Sequence, residues 1–177
     1  LELGINKAVQ LLEESKGRVL GLVSASASLE EAEAFKKLIL GLGGEPAYYC
    51  RKQGEDDFLL KKAERDANRK GMEKLGISEL KTTALAEIKL VVVLESLYSE
   101  GVELADKPMV VLSPKVSELV ERAKVSLPIT SYAESEGSFV NFEGIEQKFY
   151  PALSPKGDAR SGVEIINELA KRLEISE

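Results

Sequence analysis

The chain has 177 residues, 44% of them apolar and 31% charged, which is enough for one sizeable core and too apolar for a disordered segment. Thirty acidic against twenty-four basic residues give a net charge of −6. That balance argues against nucleic acid as the main partner and disfavours an anionic membrane surface. Histidine is absent and Cys50 is the one cysteine. The usual general base, a four-thiolate iron–sulfur cluster, a structural zinc site and an internal disulfide are therefore all out of reach of this chain alone.

In chain order, Ile5, Ala8, Val9 and Leu12 fall at helical spacing and predict a first amphipathic helix over 5–14, ended by Gly17. Residues 18–23 read as a buried strand. Ser28 with Glu31 three residues later forms a capping-box signature for the next helix. Its inner stripe is Leu29, Ala32, Phe35, Leu38, Ile39 and Leu42, with Glu33 and Lys37 paired on the wet side and Gly41, Gly43 and Gly44 as its stop. A short strand over 47–50 completes a βαβ opening.

Between residues 51 and 76 the pattern breaks down into polar and densely charged sequence. A short helix is expected after Ser78. Residues 89–94 and 108–112 read as further buried strands. Ser113-Pro114 predicts a helix start with Val116, Leu119, Val120 and Ala123 as its inner face, followed by a strand over 124–127. The last helix starts at Ser161, capped with Glu164, and turns Ile165, Ile166, Leu169 and Leu173 inward. Alternating strands and helices imply a helix-covered, mostly parallel sheet. The expected fold is thus a Rossmann-like three-layer α/β/α unit over 1–177, with a core over 18–130, an irregular extended arm over 131–160 and a closing helix over 161–174. The apolar run of residues 90–94 is far too short to span a bilayer, no export signal opens the chain, and Leu1 in place of Met suggests a piece of something longer.

The site-bearing options are few. The turn Ser24-Ala25-Ser26-Ala27-Ser28 follows the first strand, where a dinucleotide-binding loop would carry glycines; it has none. Its hydroxyls and amides could hold a small anion. Glu55-Asp56-Asp57 reads as a solvated loop, and Cys50 as a buried thiol unless Arg51 and Lys52 activate it. In the long segment after Ile129, Ser131–Glu134 reads as a capped turn, Gly137 as a positive-φ position, and Phe139 and Phe142 as side chains that bury a loop. Few Asp (5 of the 30 acidic residues) and little Gln accord with a thermophilic source.

Leu127-Pro128, Tyr132-Ala133-Glu134, Glu136-Gly137-Ser138-Phe139-Val140-Asn141, Glu143-Gly144 and Gln147 together resemble the C-terminal signature of the molybdopterin oxidoreductase superfamily. The Glu-Gly form of the motif is similar to the large iron–sulfur subunit of respiratory NADH:quinone oxidoreductase (complex I). Asp66-Ala67-Asn68-Arg69-Lys70-Gly71 with Leu75-Gly76-Ile77, and Pro155-Lys156-Gly157-Asp158-Ala159-Arg160, resemble two further stretches of that subunit. The chain departs from the pattern at Ile145, where the family has Arg, and at Val163, where it has an aromatic residue.

The resemblance implies a scaffold that belongs to an electron-transfer enzyme on the inner face of the cell membrane. It implies no metal, no catalytic residue and no cofactor in this stretch. The iron–sulfur clusters would lie in the Cys-rich N-terminal region of the same subunit, and the partners would be that region and the other peripheral-arm subunits, with no nucleic acid and no membrane insertion. Glu134, Gly137, Ser138, Phe139, Asn141 and Gln147 are the residues expected to shape the loop, and all but Phe139 are the motif's candidates for cofactor contact. The alternatives are a molybdopterin enzyme such as a formate dehydrogenase α-subunit, in which residues 131–147 would line the pterin pocket, and a small anion- or nucleotide-binding module at Ser24–Ser28.

Overall fold

A computed structural model describes residues 1–50, 54–57, 59, 63, 66–80, 85–94, 104 and 107–175. Its centre is a six-stranded parallel sheet in the order β3-β2-β1-β4-β5-β6. The strands are β1 (Val19–Ser24), β2 (Glu45–Tyr49), β3 (Ser78–Glu79), β4 (Leu90–Leu94), β5 (Met109–Ser113) and β6 (Val125–Pro128). β1 pairs with β2 on one side and β4 on the other, so the direction of winding reverses beside β1. In sheets wound this way, ligands are usually held outside the carboxyl ends of the strands at that reversal.

Both faces of the sheet are covered, which is why its central strands are continuously apolar. All five residues of β4 are buried, and by general transfer values each large side chain there contributes about 1.5–3 kcal/mol. Val19, Val23, Val92, Val110, Val125 and Leu127 point to one face, where they meet helices α1 (Glu2–Glu13), α2 (Leu29–Gly41) and α5 (Gly162–Arg172). Leu20, Leu22, Val91, Val93, Met109 and Val111 point to the other, toward Leu119 of α4 (Glu118–Arg122). Gly21 of β1 faces α2 so closely that a Cβ there would stand 2.4 Å from Ile39 Cγ1.

The predicted caps of α2 and α5 form as expected: Ser28 with Glu31, and Ser161 with Glu164, are complete capping boxes. Glu33 and Lys37 pair at 3.8 Å. Leu29 is half-buried at the start of the stripe and Leu42 caps its end. Ile165, Ile166, Leu169 and Leu173 are all buried.

Three local expectations are corrected. No helix starts at Ser113-Pro114: the Ser113 hydroxyl bonds Lys115 on both its N–H and its C=O, making a tight turn, and α4 instead starts after Ser117, whose Oγ accepts Val120 N–H at 3.3 Å. Val116, expected inside, is 77% exposed as a result. Ser78 itself lies in a two-residue strand, β3, which takes the open edge of β2; of the helix expected after it, residues 81–84 lie outside the described residues and Leu85–Glu87 form a 3-10 turn. Finally, the charged stretch before it holds a short helix, α3 (Arg69–Lys74).

Candidate functional site

The arm leaves the sheet edge after β6 and returns to it. Ile129 bridges Arg160 in parallel, and Thr130 N–H donates to Arg160 C=O at 3.0 Å. Between these points the chain is more regular than its sequence promises. β7 (Gly137–Val140) and β8 (Glu146–Phe149) form an antiparallel hairpin, with Phe139 opposite Gln147. Asn141 organises the turn: its C=O accepts Gly144 N–H, and its Oδ1 accepts Glu143 N–H at 3.0 Å and Ile145 N–H at 2.9 Å. Gly144 takes φ = 84°, the left-handed conformation that a glycine adopts without strain.

The hairpin folds over the carboxyl end of β1 and the start of α2, the place where a ligand would be sought. Ser138 is buried and donates twice to the Glu30 carboxylate, N–H to Oε2 at 2.8 Å and Oγ to Oε1 at 2.9 Å. Val140 N–H donates to Asn68 Oδ1 at 2.8 Å, and Asn68 Nδ2 donates to Ala27 C=O at 2.8 Å. Asn68 N–H reaches Ala25 C=O at 2.8 Å, so this fully buried side chain ties the β1–α2 turn to the hairpin. Gly71, one helical turn on, makes room for it: a Cβ there would sit 2.1 Å from Asn68 Oδ1. The Lys74–Glu146 ion pair at 2.7 Å adds a surface tie between α3 and β8.

The expected site residues sort out as follows. Glu134 holds the capped turn, accepting Ser131 N–H at 3.0 Å and Ser131 Oγ at 2.8 Å. Those bonds, with the Lys156 N–H, hold its carboxyl below the usual glutamate range. Gly137 is not a positive-φ residue. Its lack of a side chain serves close approach, since a Cβ would meet Glu30 Oε2 and Ser28 Cβ at 2.9 Å and Phe149 at 3.0 Å. Phe139 stacks on Phe149 with ring centroids 4.7 Å apart. Phe142, expected to bury a loop, is 58% exposed because the hairpin turn carries it outward. Asn141 is spent on the turn, and Gln147 lies exposed on β8. Cys50 directly follows β2 and packs against the core, half-buried; Arg51 and Lys52 lie outside the described residues.

Sequence reasoning did not single out Asn68, Glu30 or Gly71 as the residues that join arm to sheet. Their signal was the Asn-x-x-Gly spacing, whose role only the packing reveals. Glu31 was read as a cap, but its burial goes further: desolvation raises its carboxyl above the ordinary range despite the Ser28 bonds, with the Glu30 charge adding a smaller push. Gly162 is the glycine that lets α5 close on it, a Cβ there falling 2.3 Å from Glu31 Oε1.

Beside this junction runs a groove of about 510 Å³ between the open end of the hairpin and the starts of α2 and α5. Among the described residues, Glu30, Glu31, Glu136 and Glu164 line it against the single cation Lys148. A phosphate-bearing pterin needs cationic or N–H donors. Here the α2 cap has already taken the amides of Ser28 and Glu31, and carboxylates face the gap. The residues at this junction do not fit such a group. The Ser24–Ser28 turn is closed to a small anion for the same reason: Ser24, Ala25, Ala27 and Ser28 are buried, Ser24 Oγ accepts Ser26 N–H, and Ser26 Oγ donates to Asp66. Among the described residues, no three His, Cys, Asp or Glu side chains are arranged to hold a metal, and no helix is long and apolar enough to cross a membrane.

Among the described residues, fold and junction together define a parallel α/β unit whose own hairpin covers the β1–α2 turn at the carboxyl end of the sheet. The chain belongs to the molybdopterin oxidoreductase family, whose model matches residues 50–172. It is 47% identical over 53 residues to an NADH-quinone oxidoreductase subunit of Rickettsia conorii, a match covering 30% of this chain and 8% of that protein. It is also 38% identical over 80 residues to a nitrate reductase of Symbiobacterium thermophilum, covering 45% of this chain and 11% of that protein. The matches thus span roughly a tenth of the length of these relatives. In fold it is similar to a chain of the formyltransferase/hydrolase complex of Methylorubrum extorquens, with a TM-score of 0.67 at 11% identity over 98% of this chain and 96% of that one.

Proposed function

We propose that this chain is a scaffold part of the large iron–sulfur subunit of an NADH:quinone oxidoreductase, without a redox centre of its own. The observation that carries the reading is the covered β1–α2 turn, where Asn68, Glu30 and the β7 edge satisfy one another's hydrogen bonds among the described residues. Two facts support it. The chain has one cysteine and no histidine, so iron must be ligated from elsewhere in the parent. Relatives named as subunits of NADH-quinone oxidoreductase match it from both Rickettsia and Streptomyces coelicolor. In this role the chain packs against the cluster-bearing region of the same polypeptide and against neighbouring subunits on the cytoplasmic side of the membrane. The parent passes electrons from NADH through iron–sulfur clusters to a quinone.

A second reading, a molybdopterin enzyme proper, is favoured by the nitrate reductase match. Electron paramagnetic resonance on the purified parent separates the two. Iron–sulfur signals that appear on adding NADH and decay on adding quinone support the scaffold reading. A Mo(V) signal that responds to nitrate or formate overturns it.

A further inference from the structure

Among the described residues, the hydrogen bonds of the hairpin leave one of its edges open. On β7 the outward amides are those of Ser138 and Val140, taken by Glu30 and Asn68. In an antiparallel pair the amides alternate, so on β8 those of Gln147 and Phe149 face β7, while those of Glu146 and Lys148 face away, as does that of Tyr150 just beyond. All three of these residues are exposed, and among the described residues their amides have no backbone partner. An unpaired edge of this kind is a template for another strand.

Apolar side chains flank this otherwise polar edge. Ser138 and Val140 point into the body of the protein, so Phe139 and Phe149 stack on the opposite face. Tyr132, Ile145, Tyr150 and Leu153 lie along the same arm, each more than half exposed. At the open end of the hairpin this surface runs into the acidic groove. None of Glu30, Glu31, Glu136 and Glu164 has an ion-pair partner among the described residues.

We propose that an extended segment of a partner polypeptide, carrying lysine or arginine, adds to β8 as a third strand. It lays apolar side chains on the Phe139–Phe149 stack and Ile145, and places one basic side chain in the groove beside Tyr150. Main-chain bonds along an edge give such a contact its affinity, and the pocket at its end gives it its selectivity. An aromatic ring beside the groove suits a cationic side chain further. A second copy of this chain is the poorer occupant, because it brings a net charge of −6 and the same acidic groove; an anionic membrane is disfavoured by the same sign. The inference rests on the scaffold reading and deepens it by naming the face that its partner covers.

The test uses the intact parent assembly. Hydrogen exchange should show the amides of Glu146, Lys148 and Tyr150 slowed at least about tenfold below free-chain rates. Zero-length carbodiimide coupling should join Glu136 or Glu164 to a lysine of a partner polypeptide, and coupling only to a distant segment of the same polypeptide would overturn that assignment. Tyr150→Glu should weaken retention of the partner, whereas Leu3→Glu, on exposed α1, should not. Free-chain exchange at these three amides, or couplings only to a second copy of this chain, would overturn the proposal. A Mo(V) centre in the parent with β8 still protected would remove the scaffold reading and leave the strand contact standing.

Discussion

Asn68→Ala should unfasten the arm from the sheet. The substitution removes both side-chain bonds and leaves Val140 N–H and Ala27 C=O buried without partners. Each stranded group costs about 1–3 kcal/mol, so the loss is about 2–6 kcal/mol. That is a large share of the roughly 5–15 kcal/mol by which a domain is stable. With a urea dependence of about 1–3 kcal/mol per molar, the middle of both ranges puts the fall of the unfolding midpoint at about 2 M. Equilibrium unfolding followed by circular dichroism reads the total, and exchange of the Val140 amide reads the local release. A stability within about 0.5 kcal/mol of the parent value, with Val140 still protected, would refute the assignment of Asn68 as the tie.

Gly71→Ala should reproduce much of this effect by pushing Asn68 Oδ1 aside, and the double variant should cost clearly less than the sum, as a denaturation cycle would show. Gly137→Ala forces the hairpin off Ser28 and Glu30 and should lower stability by about 1–3 kcal/mol, measured by thermal unfolding. Glu31 and Glu134 should respond to pH in opposite senses. The Glu31 carboxyl is raised by burial, so its contribution to stability is full below the ordinary glutamate range and is lost as pH rises through its folded value; Glu31→Gln should abolish that loss in melting curves taken from acid to neutral pH. The Glu134 carboxyl is lowered by the Ser131 bonds, so its contribution is present above the ordinary range and is lost as pH falls. Protection of the Ser131 amide relative to its free-chain exchange rate should fall in acid, and Glu134→Gln should flatten that dependence.

Where a local rule and the tertiary packing agree, the chain was legible. The boxes at Ser28 and Ser161 each put a capping oxygen and a glutamate three residues apart, and nothing in the fold competes with them. Central strands β1, β4 and β5 announce themselves because burial on both faces demands unbroken apolar sequence. Their order in space is a matter of distant pairing and could not be read. At Ser113 and Ser117 two hydroxyls competed for one helix start, and the one followed by proline was drawn into a turn instead.

The hairpin was missed because β8 is a polar strand, Glu-Gln-Lys-Phe, with no alternation to betray it. The Asn141 to Gly144 turn was its available signal. The junction itself was least legible of all. Val140 lies 72 residues from Asn68, and Glu30 lies 108 residues from Ser138. Separations of that size reach one another only after the sheet has formed.

The covered β1–α2 turn is tested most directly by elemental analysis of the parent protein, purified intact and passed over a desalting column. A filled junction leaves no seat here for a pterin phosphate, so molybdenum and tungsten should fall far below one atom per chain while iron remains plentiful. One tightly held molybdenum or tungsten per chain, with a pterin released on denaturation, would contradict it.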